Sequence, residues 1–312
     1  MNEINIESLD LNLFKVFEAL YEEGGAGRAA IRLGITQSAV SAALGRLRVV
    51  YGDHLFERTG RGLRPTPKTE ELRPLIAMAL EKCRQSLQVV NSSSGSFNGR
   101  TVTLGLSDDY EMAIGRSLID SVNSVAAGLR LIFKQTHSML SSDALMSRSI
   151  DIALTSGSVA SRTLGRRVIG TGGYACVVAG RDRDSDRIIE LSDYLERGHI
   201  LVSSGGFVGL VDEALAAKSL RRRIEASTTH FAALPHLISE SSCVATLPRH
   251  AAHALSRTTR LVSVDCPIKL PSYSVELSWR ADSVRDQAIQ LVKELVTQAV
   301  RGLPAGDLDI GV

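Results

Sequence analysis

No apolar run in this 312-residue chain approaches the roughly 18–20 residues that a helix needs to cross a bilayer. The N-terminus, Met1-Asn2-Glu3-Ile4-Asn5-Ile6-Glu7, is acidic and lacks the basic-then-apolar layout of a secretion signal, so a cytoplasmic protein with no membrane partner is expected. The four cysteines, Cys83, Cys176, Cys243 and Cys266, are far apart and form no C-x-x-C pair. That spacing argues against a metal or disulfide framework and for small buried hydrophobes, although a redox-sensing pair stays open. Also missing are the G-x-S-x-G elbow, the P-loop, G-x-G-x-x-G and H-E-x-x-H. No catalytic residue, metal or cofactor is therefore expected.

What is present is an ordinary globular composition, 44% hydrophobic and 22% charged, enough apolar material for a real core. The net charge is only +2, but it is unevenly placed. Residues 24–68 carry Arg28, Arg32, Arg46, Arg48, Arg58, Arg61, Arg64 and Lys68 against Asp53 and Glu57, a net of +6. A basic island in a near-neutral chain is the footprint of a polyanion site, or else a solvated face.

Periodicity favours the first reading. Asp10 can cap a helix through about Glu22 that buries Leu13, Phe14, Phe17, Leu20 and Tyr21. After Gly24-Gly25-Ala26-Gly27 comes a short helix, Arg28 to Leu33, with Gly34 as the turn residue. Thr36 then caps a third helix, about Gln37 to Val50. At 100° per residue, Ala39, Val40, Ala43, Leu44 and Leu47 share one face of it. Gln37, Ser38, Ser41, Ala42, Gly45 and Arg48 share the other. A small polar face lets a helix backbone approach base edges in a major groove about 12 Å wide, which makes this pair a helix-turn-helix. Thr59-Gly60-Arg61-Gly62 sits between two short extended pieces and reads as a hairpin wing, with its arginines against phosphates.

The residues here resemble the LysR-type transcriptional regulators. Leu11-x-x-Phe14, Ala29-Ala30-x-x-Leu33, Thr36-Gln37-Ser38-Ala39-Val40-Ser41, Leu44-x-x-Leu47, Leu55-Phe56-x-Arg58 and Pro65-Thr66-Pro67 match that family's pattern in order and spacing. The resemblance implies that Gln37, Ser38 and Ser41 face the groove and that Arg58 contacts the backbone of promoter DNA. Arg28, Thr36, Arg48, Arg61 and Arg64 complete the DNA-binding set. Gly25 and Gly27 stand where the family usually has Ser and Thr, so a softer start to the second helix is expected.

From Lys68 to Val90 the apolar residues Leu72, Leu75, Ile76, Ala79, Leu80, Cys83, Leu87 and Val90 alternate in threes and fours, a coiled-coil seam. It reads as a linker helix for dimerisation, or as a helix buried on its own domain. In the family such dimers usually pair into tetramers. Pro74 should bend this helix or mark its start. Asn91-Ser92-Ser93-Ser94-Gly95-Ser96 reads as a flexible hinge.

Beyond the hinge, strands at Thr101–Leu106, Arg130–Lys134 and Asp151–Leu154 alternate with helices at 109–126 and 139–148. A second series follows, at Tyr174–Val178, His199–Val202, Arg223–Ala226, Val244–Thr246 and Leu261–Val264. The chain returns through Ser272–Trp279 and a helix at about Asp282–Arg301, which the resemblance places back on the first lobe. The expected architecture is an all-α winged helix-turn-helix (1–66), a linker helix (67–91) and a hinge (92–99). These precede an α/β two-lobed, periplasmic-binding-protein-like effector domain, with lobe I at 100–165 and 270–312 and lobe II at 166–269. Ligands of such folds sit outside the carboxyl ends of strands. The candidates are Ser107, Asp108, Thr136, His137 and Thr155 in the first lobe, and Ser203, Ser204, Phe207, His230 and Phe231 in the second. Each has a plainer reading as a cap or a packed side chain.

His230-Phe231-Ala232-Ala233-Leu234-Pro235, Ala245-Thr246-Leu247-Pro248 and Leu106-Ser107-Asp108 resemble the subgroup that regulates aromatic degradation and rhizobial nodulation, implying an aromatic-acid or flavonoid co-inducer. A redox-sensing regulator using Cys176 or Cys243, an enzyme built on the lobes, and a solute-binding module are the alternatives.

Overall fold

The computed structural model describes residues 9–60, 62–90, 97, 99–157, 161, 163–180, 189–203, 205–304 and 306–309. Arg61, Ser204 and nearly all of the expected hinge lie outside the described residues. The chain divides into two units, at residues 1–94 and 95–312, apart from a short exchange at 146–148.

The first unit contains α1 (Asn12–Glu23), α2 (Ala26–Leu33), α3 (Gln37–Tyr51), the hairpin β1 (Phe56–Thr59) and β2 (Gly62–Pro65), and α4 (Pro67–Val90). Asp10 accepts the Asn12 amide at 3.0 Å, and Thr36 Oγ1 accepts that of Ala39 at 3.2 Å, so both expected start signals are used. α2 starts two residues before the expected Arg28, directly after an extended Gly25. Leu13, Phe17 and Leu20 of α1 pack on Ala29 and Ala30 of α2 and on Val40, Leu44 and Leu47 of α3, all buried. At roughly 1.5–3 kcal/mol for each large aliphatic side chain, this burial holds the helices together. Ala39 differs from expectation: it is exposed, because the buried face of α3 is narrower than five residues.

α4 begins seven residues ahead of Pro74 and runs through it, so Pro74 does not mark the start of the helix. Its apolar residues divide. Leu72, Ile76 and Leu80 pack into the core of the first unit, and Tyr21 donates to Glu70 at 2.8 Å. Leu75, Met78 and Cys83 are exposed.

In the second unit the first sheet has the order β13-β6-β12-β5-β3-β4. Its strands are β3 (Thr101–Leu106), β4 (Arg130–Gln135), β5 (Ile152–Ser156), β6 (Leu164–Gly172), β12 (Tyr273–Arg280) and β13 (Leu308–Asp309). β3 runs parallel to β4 and β5, and β12 runs antiparallel to β5 and β6. The helices α5 (Asp108–Val125) and α11 (Gln287–Arg301) bury Ile114, Leu118, Val292 and Val296 against Leu104 and Leu106. α11 starts later than expected because residues 281–285 form a 3-10 turn, and the Asp286 carboxylate then caps the amides of Ala288 and Ile289. α6 (Ser138–Met146) precedes β5.

Lobe II holds β7 (Tyr174–Ala179) between β10 (Ala245–Pro248) and β11 (Leu261–Asp265), all antiparallel. β8 (Gly198–Val202) and β9 (Arg223–Thr228) run parallel beside them, joined by a bridge between His199 and Val244. Its helices are α7 (Leu191–Glu196), α8 (Leu210–Ala216), α9 (Leu234–Ile238) and α10 (Arg249–Thr258). A boundary at 166 would cut β6, a strand missing from the sequence reading. Pairing with β12 carries the first sheet to Gly172, so the chain crosses at Gly173.

His199 is fully buried in lobe II and must stay neutral there. Its Nε2 donates to the Tyr194 carbonyl at 2.8 Å, leaving Nδ1 to accept from Arg222 at 3.5 Å. Arg222 is itself clamped to both oxygens of Asp212, at 2.8 and 2.7 Å. Burial drives the His199 pKa from 6.5 to about 4. The unfolded chain therefore binds a proton below pH 6.5 that the folded chain refuses until pH 4. Stability from this residue is full above pH 6.5 and falls away between 6.5 and 4, by on the order of 2–3 kcal/mol. Thermal unfolding followed over that range should show the loss, and His199→Gln should remove that part of it. An unchanged pH profile in the variant refutes the assignment.

Candidate nucleic-acid interface and ligand site

The exposed side of α3 carries Gln37, Ser38, Ser41, Ala42 and Gly45, as its periodicity required. Beside it lies a concavity of about 480 Å³ lined by Gln37, Ser41 and Arg48 from α3, Gly25 and Ala26 at the start of α2, and Arg58, Thr59 and Gly62 from the hairpin. Helix face and wing therefore border one surface.

The arginines of the basic island do different jobs. Arg58 lines the concavity with an exposed side chain. Arg48 spends its guanidinium on backbone, donating to the carbonyls of His54 at 2.8 Å and Phe56 at 3.2 Å, and so fixes the strand that carries Arg58. Arg64 pairs with Glu57 across the hairpin at 2.7 Å. Arg32 bonds Glu22 and Glu23, Arg46 reaches Asp10 and Lys68 reaches Glu71. Much of the island's charge is thus neutralised locally. Such exposed pairs contribute little stability, roughly 0–1 kcal/mol each. Thr36 Oγ1 is engaged as the cap and with Ser38 Oγ at 2.9 Å.

Glycine has a visible role at two positions that clasp the wing, Gly24 and Gly62. Gly24 turns through φ +59°, and its carbonyl accepts the Leu63 amide at 2.8 Å, tying the wing to the α1–α2 turn. Arg28 Nε donates to the Glu23 carbonyl at 2.6 Å, with its guanidinium laid over Gly24 and Gly25. At Gly62, φ is +138° and an added Cβ would lie 2.5 Å from the Gly24 oxygen. Gly62→Ala should therefore cost about 1–3 kcal/mol of strain and displace the wing. The check is urea unfolding together with DNA retardation: unaltered stability and retardation would show that the clasp does not set the wing.

In the second unit, parallel pairing in the order β5-β3-β4 brings the carboxyl ends of three strands, with Ser107, Thr136 and Thr155, to one edge. In lobe II, Ser203 lies beside Thr228, whose carbonyl accepts its amide at 2.9 Å, and so near His230. The two edges meet where Asp108 Oδ2 accepts the Ala232 amide at 2.9 Å, next to Phe231. The other Asp108 oxygen is buried and has no hydrogen-bond partner among the described residues.

Other candidates serve locally. Thr155 is buried and donates to the Gly157 carbonyl at 2.7 Å. Ser203 Oγ bonds within its own turn, to Gly205. His230 Nδ1 bonds Thr229 at 2.8 Å. Phe207 is 62% exposed, and Phe231 packs against the lobe II core. His137 is half-buried at the start of α6.

Sequence reasoning missed the polar cluster beneath this junction. Asp109 is buried, accepts from Ser107 and the Tyr110 amide, and meets His250 Nε2 at 3.1 Å. Tyr110 stacks on the His250 ring with centroids 4.4 Å apart, and the Tyr273 hydroxyl lies 3.3 Å from His250 Nδ1. Only the doubled Asp108-Asp109 beside the predicted strand end pointed here, and nothing local marked His250 or Tyr273.

A DNA-reading winged helix joined to a bilobed α/β domain defines a ligand-responsive transcriptional regulator. Residues 11–70 match the bacterial regulatory helix-turn-helix of the lysR family, and residues 96–301 match the LysR substrate binding domain. The chain belongs to the LysR family. It is 29% identical over 297 residues to the HTH-type transcriptional activator NahR of Pseudomonas putida, covering 94% of this chain and 98% of that one. It is 27% identical over 301 residues to nodulation protein D 1 of a Bradyrhizobium species, covering 95% and 94%. The crystal structure of a probable transcriptional regulator from Pseudomonas aeruginosa superposes with a TM-score of 0.72 at 29% identity, covering 98% of this chain and 99% of that one. The protein is a LysR-type transcriptional regulator with an effector-binding domain, not an enzyme.

Proposed function

We propose that α3 enters the major groove of promoter DNA, that Gln37, Ser38 and Ser41 read base edges, and that Arg58 grips a phosphate. The observation that carries this is the small polar face of α3 bordering the same concavity as Arg58. Arg28, Arg48 and Arg64 support the grip by shaping the wing, and Thr36 does so by capping α3. Arg58→Ala should weaken binding to all sequences and lower the salt dependence by about one counterion, whereas Gln37→Ala or Ser38→Ala should change preference among sites by about 1–3 kcal/mol. Retardation at several salt concentrations, on matched and altered promoter fragments, reads both. Undiminished binding by the Arg58→Ala chain refutes the wing contact.

The co-inducer site lies between the lobes, at the carboxyl ends of β3, β4 and β5, where Asp108 meets Ala232. The resemblance of His230–Pro235, Ala245–Pro248 and Leu106–Asp108 to the aromatic-degradation and nodulation subgroup supports an aromatic ligand. A ligand at 100 times its dissociation constant stabilises the fold by about 2.7 kcal/mol. Benzoate-type acids and flavonoids screened by thermal shift should include a stabilising compound. Asp108→Ala should abolish that shift and leave DNA retardation nearly intact. A full shift in the variant places the ligand elsewhere.

DNA half-sites need two recognition helices held apart, and the exposed Leu75 and Met78 of α4 suit pairing with a second copy. Dimers, and tetramers built from them, follow the family's habit. No described helix is long and apolar enough to cross a membrane, and a DNA-binding regulator belongs in the cytoplasm.

A further inference from the structure

Lobe II holds a pair of thiols that neither DNA nor ligand binding uses. Cys176 sits in the central strand β7, opposite Val264 of β11. Cys266 is two residues beyond Val264, on the side of the ladder that Cys176 occupies, and packs into the same apolar cluster. The two thiols are neighbours in that cluster, close enough to influence each other's ionisation. Both are free thiols, Cys176 buried and Cys266 part-exposed.

The surroundings of Cys266 are those of a thiolate. The Cys176 thiol, the backbone amide of Ile268, the Thr246 hydroxyl and the Arg222 guanidinium all lie close enough to its sulfur to favour the ionised form. Thr246 Oγ1 also lies 3.4 Å from Cys176 Sγ and 2.7 Å from the Tyr194 hydroxyl. Donors converging on one sulfur favour its ionised form. The adjacent Cys176 thiol, with Ile268, Arg222 and Thr246 behind it, holds the Cys266 thiol down to about 7, while the adjacent Cys266 and burial push Cys176 up.

We propose that Cys266 and Cys176 form a redox-active dithiol, with Cys266 as the sulfur that attacks a hydroperoxide and Cys176 as the one that resolves it. The Cys266 thiolate attacks the peroxide's terminal oxygen, the O–O bond breaks, and the alkoxide leaves as alcohol with a proton. Cys266 becomes a sulfenic acid. The Cys176 thiolate then attacks that sulfur, an S–S bond forms, the S–O bond breaks and water departs. Two thiols lose two electrons and two protons, and the hydroperoxide becomes alcohol and water. Oxidation of Cys266 also removes the neighbouring thiolate that opposed ionisation of Cys176, while Arg222 and Thr246 stay in place.

The location gives the bond leverage. Cys176 follows the Gly173 crossing by three residues, and Cys266 opens the return connection to β12. A disulfide here staples together both segments that link the lobes. Cys266 lies one residue past the end of β11, where strand register no longer holds the backbone. The chain there can adopt the roughly 4.4–6.8 Å between Cα atoms that a disulfide needs. The other cysteines are placed differently: Cys243 donates to Glu225 at 3.2 Å, and Cys83 is exposed on α4. Of the two sensor candidates in the sequence, Cys176 and Cys243, the fold gives Cys176 a partner in Cys266.

The test uses the full chain carrying Cys83→Ser, which removes the exposed thiol and keeps the pair native. Alkylation of Cys266 by iodoacetamide, followed by peptide mass spectrometry, should be half-maximal near pH 7. At that pH it should be roughly tenfold faster than at an ordinary exposed thiol of pKa about 8.5. The titratable groups facing the pair are Tyr194 and Arg222, with His199 and Asp212 behind Arg222. Hydrogen peroxide should yield one intramolecular Cys176–Cys266 linked peptide, reversed by dithiothreitol. Cys176→Ser should leave a sulfenic acid at Cys266 that dimedone traps. Alkylation with a midpoint above pH 8, or peroxide treatment that gives no linked peptide, overturns the proposal. The linked-peptide measurement alters neither cysteine of the pair, so misfolding of a variant cannot mimic a negative result.

Discussion

The second unit depends on a buried ionisable contact. His250 of α10 and Asp109 of α5 meet at 3.1 Å with almost no solvent access, and the two residues belong to different lobes. Burying either group alone would cost several kcal/mol, and losing one partner leaves that cost uncompensated. The surroundings meet nearly every hydrogen-bonding demand. Ser107 and the Tyr110 amide donate to the carboxylate, the Tyr273 hydroxyl faces the other imidazole nitrogen, and the Tyr110 ring covers the imidazole face. Such a network is worth most when complete, so it specifies one arrangement of the lobes more sharply than apolar packing does. The Asp108–Ala232 bond, at the candidate ligand site, lies one residue away on the same helix. A ligand that disturbs Asp108 therefore acts next to the contact that sets lobe position.

In the DNA-binding unit the governing demand differs. A recognition helix must present small polar groups to solvent while something else holds it rigid. Val40, Ala43, Leu44 and Leu47 do the holding. Two of the basic residues that the sequence suggests as phosphate contacts, Arg48 and Arg28, also donate to backbone carbonyls beside the wing that carries Arg58. Net charge over a segment records a polyanion-binding region without saying which cations are already engaged.

The sequence was most legible where a period is strong and caps are local. The three N-terminal helices, the wing and the alternation of strands and helices all follow from spacing, because side-chain direction repeats every 3.6 or 2 residues. It failed at β6, whose Leu164-Gly-Arg-Arg-Val-Ile-Gly-Thr-Gly172 has little apolar alternation and becomes a strand through pairing with β12. It failed also at Ala39, where the packing partner stops short, and at the start of α11, which Asp286 sets rather than Asp282. Of the ligand candidates, Asp108 and Phe231 adjoin the contact that joins the lobes, whereas Phe207 stays exposed.

By itself the chain determined the helix-turn-helix, the basic island and the two-lobed α/β class, since these rest on residues near one another in sequence. Tertiary structure alone brought Asp109 to His250, Cys176 to Cys266, and Gly24 to Gly62. Those pairs are separated by long stretches of chain, and no local pattern encodes which distant side chain will fill a buried polar group's remaining bond. The physical reason is that satisfaction of buried polar groups is a property of the packed whole.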